Sequence, residues 1–418
     1  MGTIYRTLKI RIYPNKKQQE LIIKSFGCAR FAFNNMLAER IEVYEKLKDD
    51  RRALFDYKYK NEVELKKEYP WMKEVSKFVI QSARLDLQTA YSNFYASLKK
   101  VKKGQKVGFP KFKKKGQKNS YREYLTNNNI DVIIEKRKVK LPKLGLVCFR
   151  DSRLVFNGSI KQATISRTKT GKFFVSILYE QELELDGIEL NDNLKVVGLD
   201  MSLEKFFVDS SGNSPAYERL YRKHEKELSR LQKKVSKKKL GSNNRKKAQL
   251  RVNKIHEEIA NSRRDFTQKL STKLIRENDV VVVENLSLKG MSQALKLGKS
   301  VMDLGYSHFV AQLKYKALWN NRIFIEADKW FASSKTCSLC GFKKDLLLQE
   351  REWECPNCGR KHNRDHNAGI NLRNYGLKEL GLGQPDIKPV EKTTADNEES
   401  SYQVASMKQE APRSLAEE

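Results

Sequence analysis

Within the first hundred residues, the spacing of apolar positions changes from a period of two, typical of a strand, to the spacing of a helix. Residues 1–13 alternate apolar and polar side chains, which predicts a half-buried β-strand. From Asn15 to about Lys48, apolar residues recur at helical spacing near one face, and a second helical block covers residues 74–100. We therefore expect a strand followed by a small helical bundle.

Short β-like runs fill residues 130–186, where Gly, Pro and Asn residues separate one run from the next. Several short strands at this spacing predict a β-barrel or a β-sandwich. The first strand, residues 4–12, is available to complete that sheet.

The pattern changes again at Leu194. The run "LKVVGLD" has the character of a buried strand that ends in Asp200, and "KFFVDSSGN" is expected to be its hairpin partner. Residues 217–278 carry apolar positions that fit two helices, with a turn at 241–244. Another buried strand ends in Glu284, and a helix and the strand "RIFIEAD" follow. Alternating strands and helices predict an α/β domain.

The net charge points to a polyanionic partner. Lys and Arg number 83 against 51 Asp and Glu, a formal net charge of +32. Self-repulsion on this scale opposes the compact state, and phosphate groups are the usual counterpart of such a surface. A ribosomal or histone-like basic protein would share this composition. Binding to a membrane surface is disfavoured because the basic residues are spread along the whole chain.

Residues 99–118, "KKVKKGQKVGFPKFKKKGQK", place Phe109 and Phe112 between lysines. An isolated charge run is ordinarily a solvated loop, and the net charge of this chain adds support for the alternative, a segment that contacts phosphates. The polar, acidic tail at 382–418 is predicted to be disordered. Since the sequence has neither a signal-peptide pattern nor an apolar run of membrane-spanning length, we expect a cytoplasmic protein.

Four of the six cysteines form two CxxC pairs, separated by 14 residues: Cys337, Cys340, Cys355 and Cys358. Two such turns present four thiolates to one tetrahedral centre, which predicts a zinc site. A pair of disulfides is the alternative, and a cytosolic chain disfavours it. Four thiolates fill the coordination sphere, so this zinc would be structural. The other two cysteines, Cys28 and Cys148, have apolar neighbours and are predicted to be buried core thiols.

Three acidic residues stand at the ends of predicted elements. Asp200 and Glu284 end two buried strands, and Asp365 opens a helix after the cysteine pairs. Each alone would ordinarily be solvated or cap a helix. Neighbouring parallel strands, however, bring their carboxyl ends to one edge, where active sites collect. Three carboxylates at one edge would bind two Mg²⁺ ions, which together can catalyse phosphodiester hydrolysis.

Many ordered motifs in this chain resemble those of the TnpB family of insertion-sequence-encoded, RNA-guided DNA endonucleases, which are similar to type V CRISPR nucleases. The resemblance covers almost the whole chain. The motifs are "RIYPNKKQQELI", "FGCARFAFNNML", "KVGFPKFKKK", "YLTNNNI", "LPKLG", "VVGLDMSLEKF", "VVVENL", the four-cysteine knuckle, "RDHNAGINLR" and "SMKQEAP".

The resemblance implies a multidomain α+β fold. It combines an OB-like β-barrel wedge domain, an inserted helical recognition bundle and an RNase H-like RuvC α/β domain with an inserted four-cysteine zinc module. The expected boundaries are 1–14 and 101–190 for the wedge, 15–100 for the bundle, 191–330 and 360–381 for RuvC, 331–359 for the zinc module and 382–418 for the tail.

The resemblance also implies a function and its residues. Asp200, Glu284 and Asp365 match the family's catalytic carboxylates, and Asn367 lies in the same motif and would assist them. Ser202 departs from the Gly that many relatives carry there, and we expect its small side chain to preserve activity. The partners implied are a guide RNA from the transposon end and double-stranded target DNA.

Four further residues match family positions that lie near the short target-adjacent motif: Lys77, Gln81, Thr126 and Asn127. The alternative interpretation is that these four residues are ordinary polar residues of a helix and a loop. Two alternatives to guided cleavage also remain open. The chain could be a transposase-type strand transferase, which uses the same metal chemistry, or a nuclease-inactive RNA-guided DNA binder. The presence of all three acids argues against the inactive binder.

Overall fold

The computed structural model describes residues 2–98, 107–117, 119–151, 154–183, 188–191, 193–294, 298–347 and 349–382. Most of the predicted disordered tail and part of the basic segment 99–118 lie outside the described residues. In the first half of the chain the elements are β1 (Gly2–Tyr13), α1 (Lys16–Leu47), α2 (Arg51–Asp56), α3 (Glu62–Glu68), a 3-10 helix (Pro70–Glu74), α4 (Lys77–Leu98), β2 (Ser120–Tyr124), β3 (Asp131–Ile133), β4 (Lys138–Leu141), β5 (Gly145–Phe149), β6 (Ser159–Arg167) and β7 (Phe173–Leu183).

The elements of the second half are β8 (Val196–Ser202), β9 (Phe206–Asp209), α5 (Leu220–Ser236), α6 (Asn243–Glu277), β10 (Val280–Val283), α7 (Leu288–Ala294), α8 (Gly298–Leu304), α9 (Tyr306–Trp319), β11 (Ile323–Glu326), β12 (Glu352–Glu354), β13 (Lys361–Asn363) and α10 (Arg364–Glu379). The architecture is a multidomain combination of α and β structure. No helix in the described part of the chain is both long enough and apolar enough to span a bilayer.

The first strand does complete the sheet built by residues 130–186. Strands β2 to β7 and β1 form one antiparallel sheet in the order β2-β6-β7-β1-β5-β4-β3. β1 pairs with β7 from Gly2↔Leu183 to Ile12↔Phe173, and its last residues also pair with β5. One apolar core lies against this sheet and the adjacent faces of α1 and α4.

The prediction that Cys148 is buried was wrong, whereas Cys28 is buried as expected. In β5 the side chains of Val147 and Phe149 point into the core. Because successive side chains of a strand face opposite sides, Cys148 between them is exposed to solvent. Apolar neighbours in sequence therefore did not imply an apolar environment.

The two long helices pack together as predicted. An Asn15–Gln18 capping box starts α1, and its buried side chains Phe33 and Leu37 belong to the same cluster as Ile80 and Leu87 of α4. The second helix begins at Lys77, later than the predicted residue 74, because residues 70–74 form the 3-10 helix. The Ser76 hydroxyl then accepts the backbone N–H of Phe78 at 3.3 Å, which begins the helix.

A second sheet has the order β11-β10-β8-β9. β10 runs parallel to both β8 and β11, and β9 returns antiparallel to β8. The prediction that β8 ends in Asp200 needs correction, since Asp200 pairs with Val208 and the strand continues to Ser202. The hairpin with β9 extends the strand because it supplies backbone partners beyond the acid.

Helix α10 packs directly against this sheet, and glycine residues on both elements lie at the contact. A Cβ atom on Gly198 of β8 would stand 2.2 Å from the carbonyl oxygen of Gly369, and one on Gly376 would stand 2.4 Å from Val282 Cγ2. Real Cβ atoms do not approach this closely, so the glycines allow the helix to rest on the strands. This contact sets the position of the first turn of α10, which carries Asp365.

Candidate active site and metal centre

The parallel pairing of β8 and β10 places two of the predicted acids side by side. Val283 is in register with Leu199, so the next residue of each strand, Glu284 and Asp200, are neighbours at the same edge. Their carboxyl groups hydrogen-bond to each other. Two acids that are 84 positions apart in sequence therefore meet at the end of the sheet, as the strand pattern predicted.

The third acid approaches from the helix. Asn363 caps α10 by accepting the backbone N–H of His366 at 3.2 Å, and Asp365 follows in the first turn. Its negative charge raises the pKa of Asp200. The structure thus brings together all three acids predicted from the sequence.

The pKa values of Asp200 and Glu284 are both raised. Burial raises the pKa of Asp200 well above its ordinary range, and the charges of Glu284 and Asp365 raise it further. Burial also raises the pKa of Glu284, while hydrogen bonds from Ser333 and Asp200 and the nearby Arg364 act in the opposite direction. Carboxylates held this close repel one another unless a proton or a cation lies among them. The arrangement is therefore suited to binding positive charge.

Sequence reasoning missed the segment that supports Glu284. The Ser333 hydroxyl donates to its carboxylate. Two residues of α10 hold the following loop: the amide of Asn371 donates to the carbonyl oxygens of Ser333 and Thr336, at 2.7 and 2.6 Å, and that of Asn367 donates to Thr336 at 2.7 Å. The helical i, i+4 spacing of Asn367 and Asn371 was the signal that could have revealed this shared face.

A cation already faces the third acid. Nη1 of Arg351, in the loop before β12, lies 3.0 Å from Asp365 Oδ1. The arginine side chain is half exposed, whereas that of Asp365 is largely buried. Its contact with Asp365 links the cysteine-containing insertion to the acidic cluster.

The four cysteines form the predicted cluster. The Sγ atoms of Cys337, Cys340, Cys355 and Cys358 all lie within 4.8 Å of one another. A glycine with a positive φ completes each of the two CxxC turns. The N–H of Gly341 donates to the Cys337 carbonyl at 2.9 Å, and the N–H of Gly359 donates to the Cys355 carbonyl at 2.8 Å. Four thiols converging in this way are compatible with a zinc ion. Within the described ranges, no other group of three or more His, Cys, Asp or Glu residues brings its ligand atoms within 4.8 Å of one another. The carboxylate oxygens of Asp200, Glu284 and Asp365 are therefore not all within that distance.

Comparison with known proteins decides the family. A protein of Streptomyces pristinaespiralis described as "Putative RNA-guided DNA endonuclease" is 32% identical over 424 aligned residues, which cover 100% of this chain and 98% of that protein. The chain belongs to the TnpB family. Another relative, InsQ of Escherichia coli K12, has the same description and is 29% identical over 91% of this chain and 94% of its own length.

Three family models match separate parts of this TnpB-family chain. Residues 176–295 match "Probable transposase", 306–372 match "Cas12f1-like, TNB domain" and 1–49 match "Helix-turn-helix domain". In the structure that N-terminal match consists of strand β1 and the single long helix α1. Among solved structures, a Cas12f1–sgRNA–target DNA complex aligns with a TM-score of 0.49 at 14% identity, covering 89% of this chain and 99% of that one.

The residues predicted to read the target-adjacent motif in this TnpB-family protein come from two neighbouring segments. Lys77 and Gln81 lie on the first turns of α4, and the Phe78 ring packs edge-on against Tyr124, the last residue of β2, with centroids 5.7 Å apart. Thr126 and Asn127 belong to the tight turn that follows β2, where Asn127 has a positive φ of 49°. The segments meet, and the role of these four residues stays a prediction.

Proposed function

We propose that this TnpB-family chain is an RNA-guided DNA endonuclease that cuts target DNA beside a short adjacent motif. The observation that carries the proposal is the hydrogen-bonded pair Asp200 and Glu284 on the neighbouring parallel strands β8 and β10, with Asp365 on the first turn of α10 close enough to raise the pKa of Asp200. The chain's net charge of +32 supports a nucleic-acid substrate. The descriptions of its relatives support the same activity.

The donor set fits divalent cations. Partly buried carboxyl groups that hydrogen-bond to each other, with the pKa of each raised by burial, form a site that a hard cation would stabilise. Asp200, Glu284 and Asp365 would hold Mg²⁺, with a pair of ions as the expected number. When bound, such ions activate water and stabilise the leaving oxygen of a phosphodiester.

The remaining groups orient these acids. Ser333 holds one oxygen of Glu284 and favours its ionised form. Arg351 partly neutralises Asp365, and Arg364 favours ionisation of both Asp200 and Glu284. The cysteine cluster would hold one structural Zn²⁺ that keeps the loop carrying Arg351 and the segment 333–338 in place.

We further propose the domain roles that the sequence predicts. The seven-stranded sheet would be the OB-like wedge (1–14 and 101–190), and the α1–α4 helices the recognition bundle (15–100). The four-stranded sheet with its helices would be the RuvC nuclease domain (191–330 and 360–381), and 331–359 the zinc module. The guide RNA would derive from the transposon end, and Lys77, Gln81, Thr126 and Asn127 would contact the adjacent motif.

The test begins with the RNA that co-purifies with the protein. A single abundant species with a variable end would supply the guide, and plasmids carrying the matching target with randomised flanks would supply the substrate. We expect double-strand cleavage with Mg²⁺, none with EDTA, and none for Asp200→Asn, which should still bind RNA. Glu204→Gln, in the turn after β8, is the matched control because its side chain is exposed.

Each alternative has its own outcome. Strand joining without RNA would replace the proposal with a transposase-type transferase. Guided binding to the target without cleavage under any divalent cation would leave an inactive binder. Cleavage by Asp200→Asn at the wild-type rate would remove the carboxylate cluster from the reaction.

A further inference from the structure

The helical hairpin α5–α6 carries an uninterrupted positive charge. Residues 228–256 contain eleven Lys or Arg residues and neither Asp nor Glu. Apart from Arg245, which is partly buried, all of these basic side chains are exposed. Arg245 donates to the carbonyl oxygens of Val235 and Lys238, both at 2.9 Å, and so stabilises the turn between the helices.

The exposed charges are not balanced by neighbouring acids. None of the eleven basic residues forms an ion pair with an acid in the parts of the chain that the structure describes. The hairpin is held together by its own apolar seam, in which Leu231 and Val235 of α5 pack against Val252 and Ile255 of α6. The lysines therefore contribute repulsion and little packing, which is the signature of a surface that meets a polyanion.

The hairpin is anchored at its base. Its base is braced against the β6–β7 turn, where Thr170 Oγ1 donates to Glu257 at 2.7 Å and Lys172 Nζ lies 3.1 Å from the same carboxylate. From Glu257 the helix extends 14 residues to Asn243, about 21 Å at 1.5 Å per residue. We call residues 233–247, at the far end, the hairpin tip.

The tip lies away from the carboxylates. Asn243 and Ile275 stand at opposite ends of α6, about 48 Å apart, and Ile275 packs in the core of the four-stranded sheet. Glu284 follows Ile275 by nine residues, which span at most about 31 Å. The backbone of Asn243 is therefore at least about 17 Å from Glu284, which places the far end of the hairpin away from the acids.

We infer that the hairpin tip binds the phosphodiester backbone of the guide RNA, as an anchor remote from the cut. The inference rests on the proposed function, because the guide RNA that it places on the hairpin tip is a partner that this function requires. A guide RNA fits better than target DNA because the repulsion among the tip lysines is present in every state of the protein. A partner bound throughout relieves that repulsion continuously, whereas a DNA target is bound only during its own cleavage.

The test neutralises five tip lysines in the full-length protein: Lys237→Gln, Lys238→Gln, Lys239→Gln, Lys246→Gln and Lys247→Gln. The control neutralises five exposed lysines of the N-terminal half, Lys58, Lys67, Lys73, Lys136 and Lys140, in the same way. The affinity for the co-purifying RNA is measured across a salt series. For the tip variant we expect at least a 10-fold weaker Kd at 0.15 M salt and a salt slope smaller by about 4, whereas the control should change less than 3-fold.

Two further measurements make the result specific. Without RNA, the tip variant should melt at the wild-type temperature or above, since repulsion is removed and the apolar seam is kept. At saturating RNA, its rate of DNA cleavage should equal that of wild type. Unchanged RNA affinity, an equal loss in the control, or a loss confined to duplex DNA would overturn the inference. RNA binding is measured without catalysis, so a protein that binds RNA through the tip but cuts nothing would contradict only the proposed function.

Discussion

The backbone of Gly198 in β8 lies against the carbonyl oxygen of Gly369 in α10, at a separation that leaves no room for a side chain at either residue. A Cβ on Gly198 would be 2.2 Å from that oxygen and 2.5 Å from the backbone nitrogen of Arg373. A Cβ on Gly369 would be 2.9 Å from the backbone of Asp209. This contact fixes where Asp365 stands relative to Asp200.

Gly198→Ala should therefore lift α10 from the sheet. We expect the free energy of unfolding to fall by about 1–3 kcal/mol and guided DNA cleavage to fall by about 100-fold, because an active-site group displaced by 1 Å loses its geometry. Urea denaturation and plasmid cleavage measure the two effects. Gly27→Ala in α1 is the matched control, since its Cβ would meet nothing within 4 Å, and it should be neutral or slightly stabilising. Full cleavage by Gly198→Ala would show that the contact between α10 and Gly198 does not position Asp365.

Ser333→Ala should shift the pH dependence of cleavage. The Ser333 hydroxyl donates to Glu284 and lowers the pKa of that carboxyl. Without it the pKa rises, less of the ionised acid is present at a given pH, and the acidic limb of the pH–rate profile moves to higher pH. Cleavage rates between pH 5.5 and 8.5 measure the shift. Ser338→Ala, in the same loop, should leave the profile unchanged, because only the backbone of Ser338 takes part in its bond to Asn367.

Disruption of the cysteine cluster should impair cleavage even though the three acids remain unmutated. Cys337→Ser removes one of four thiols that lie within 4.8 Å of one another, and zinc content per chain should fall from about one to near zero. Since Asn367 and Asn371 hold the segment that leads into the cluster, disorder there releases Ser333 and Arg351, and we expect at least a 10-fold loss of cleavage. Cys148→Ser, at an exposed position, is the control and should retain both metal and activity. Equal activity of the zinc-free protein would contradict this link.

Glu123→Gln should remove part of the pH dependence of stability. Glu123 of β2 is buried against the residues that lead into α4, where the Ser76 hydroxyl donates to it at 2.7 Å. Burial raises its pKa to about 7, against 4.5 when unperturbed. A raised pKa in the folded state means that its contribution to stability is complete below about pH 4.5 and is lost as the pH rises through about 7.

The glutamine variant keeps an acceptor for Ser76 and cannot ionise. At pH 8 it should therefore be more stable than wild type, by up to about 3 kcal/mol at 1.36 kcal/mol per pKa unit. Thermal melts from pH 5 to 8 test this, with the exposed Glu135→Gln as control. A wild-type and a variant curve that run parallel across this range would show that Glu123 does not titrate there.

Much of the local structure followed from the sequence. The alternation of residues 1–13, the helical spacing after Asn15 and the two basic helices with a turn near Ser242 all appear as predicted. The two CxxC pairs converge because each turn needs only a few residues and a glycine. These features depend on neighbours in sequence, so a periodic pattern or a short spacing is sufficient to specify them.

Contacts between distant segments could not be predicted in the same way. The strand pattern indicated that Asp200 and Glu284 would share an edge, but it contained no sign of Ser333 beneath Glu284 or of Arg351 beside Asp365. It also misplaced Cys148, whose outward orientation depends on the register of β5 with β1 and β4.

The sequence by itself determined the elements, the cysteine spacing, the unbalanced charge and the identity of the three acids, because each of these is written in residue type and local period. The tertiary structure alone decided how close the acids stand, which groups shift the pKa of each, and where the basic hairpin projects. Those properties arise from strand register and from the contact of α10 with β8, and they depend on backbone atoms that no local pattern brings together.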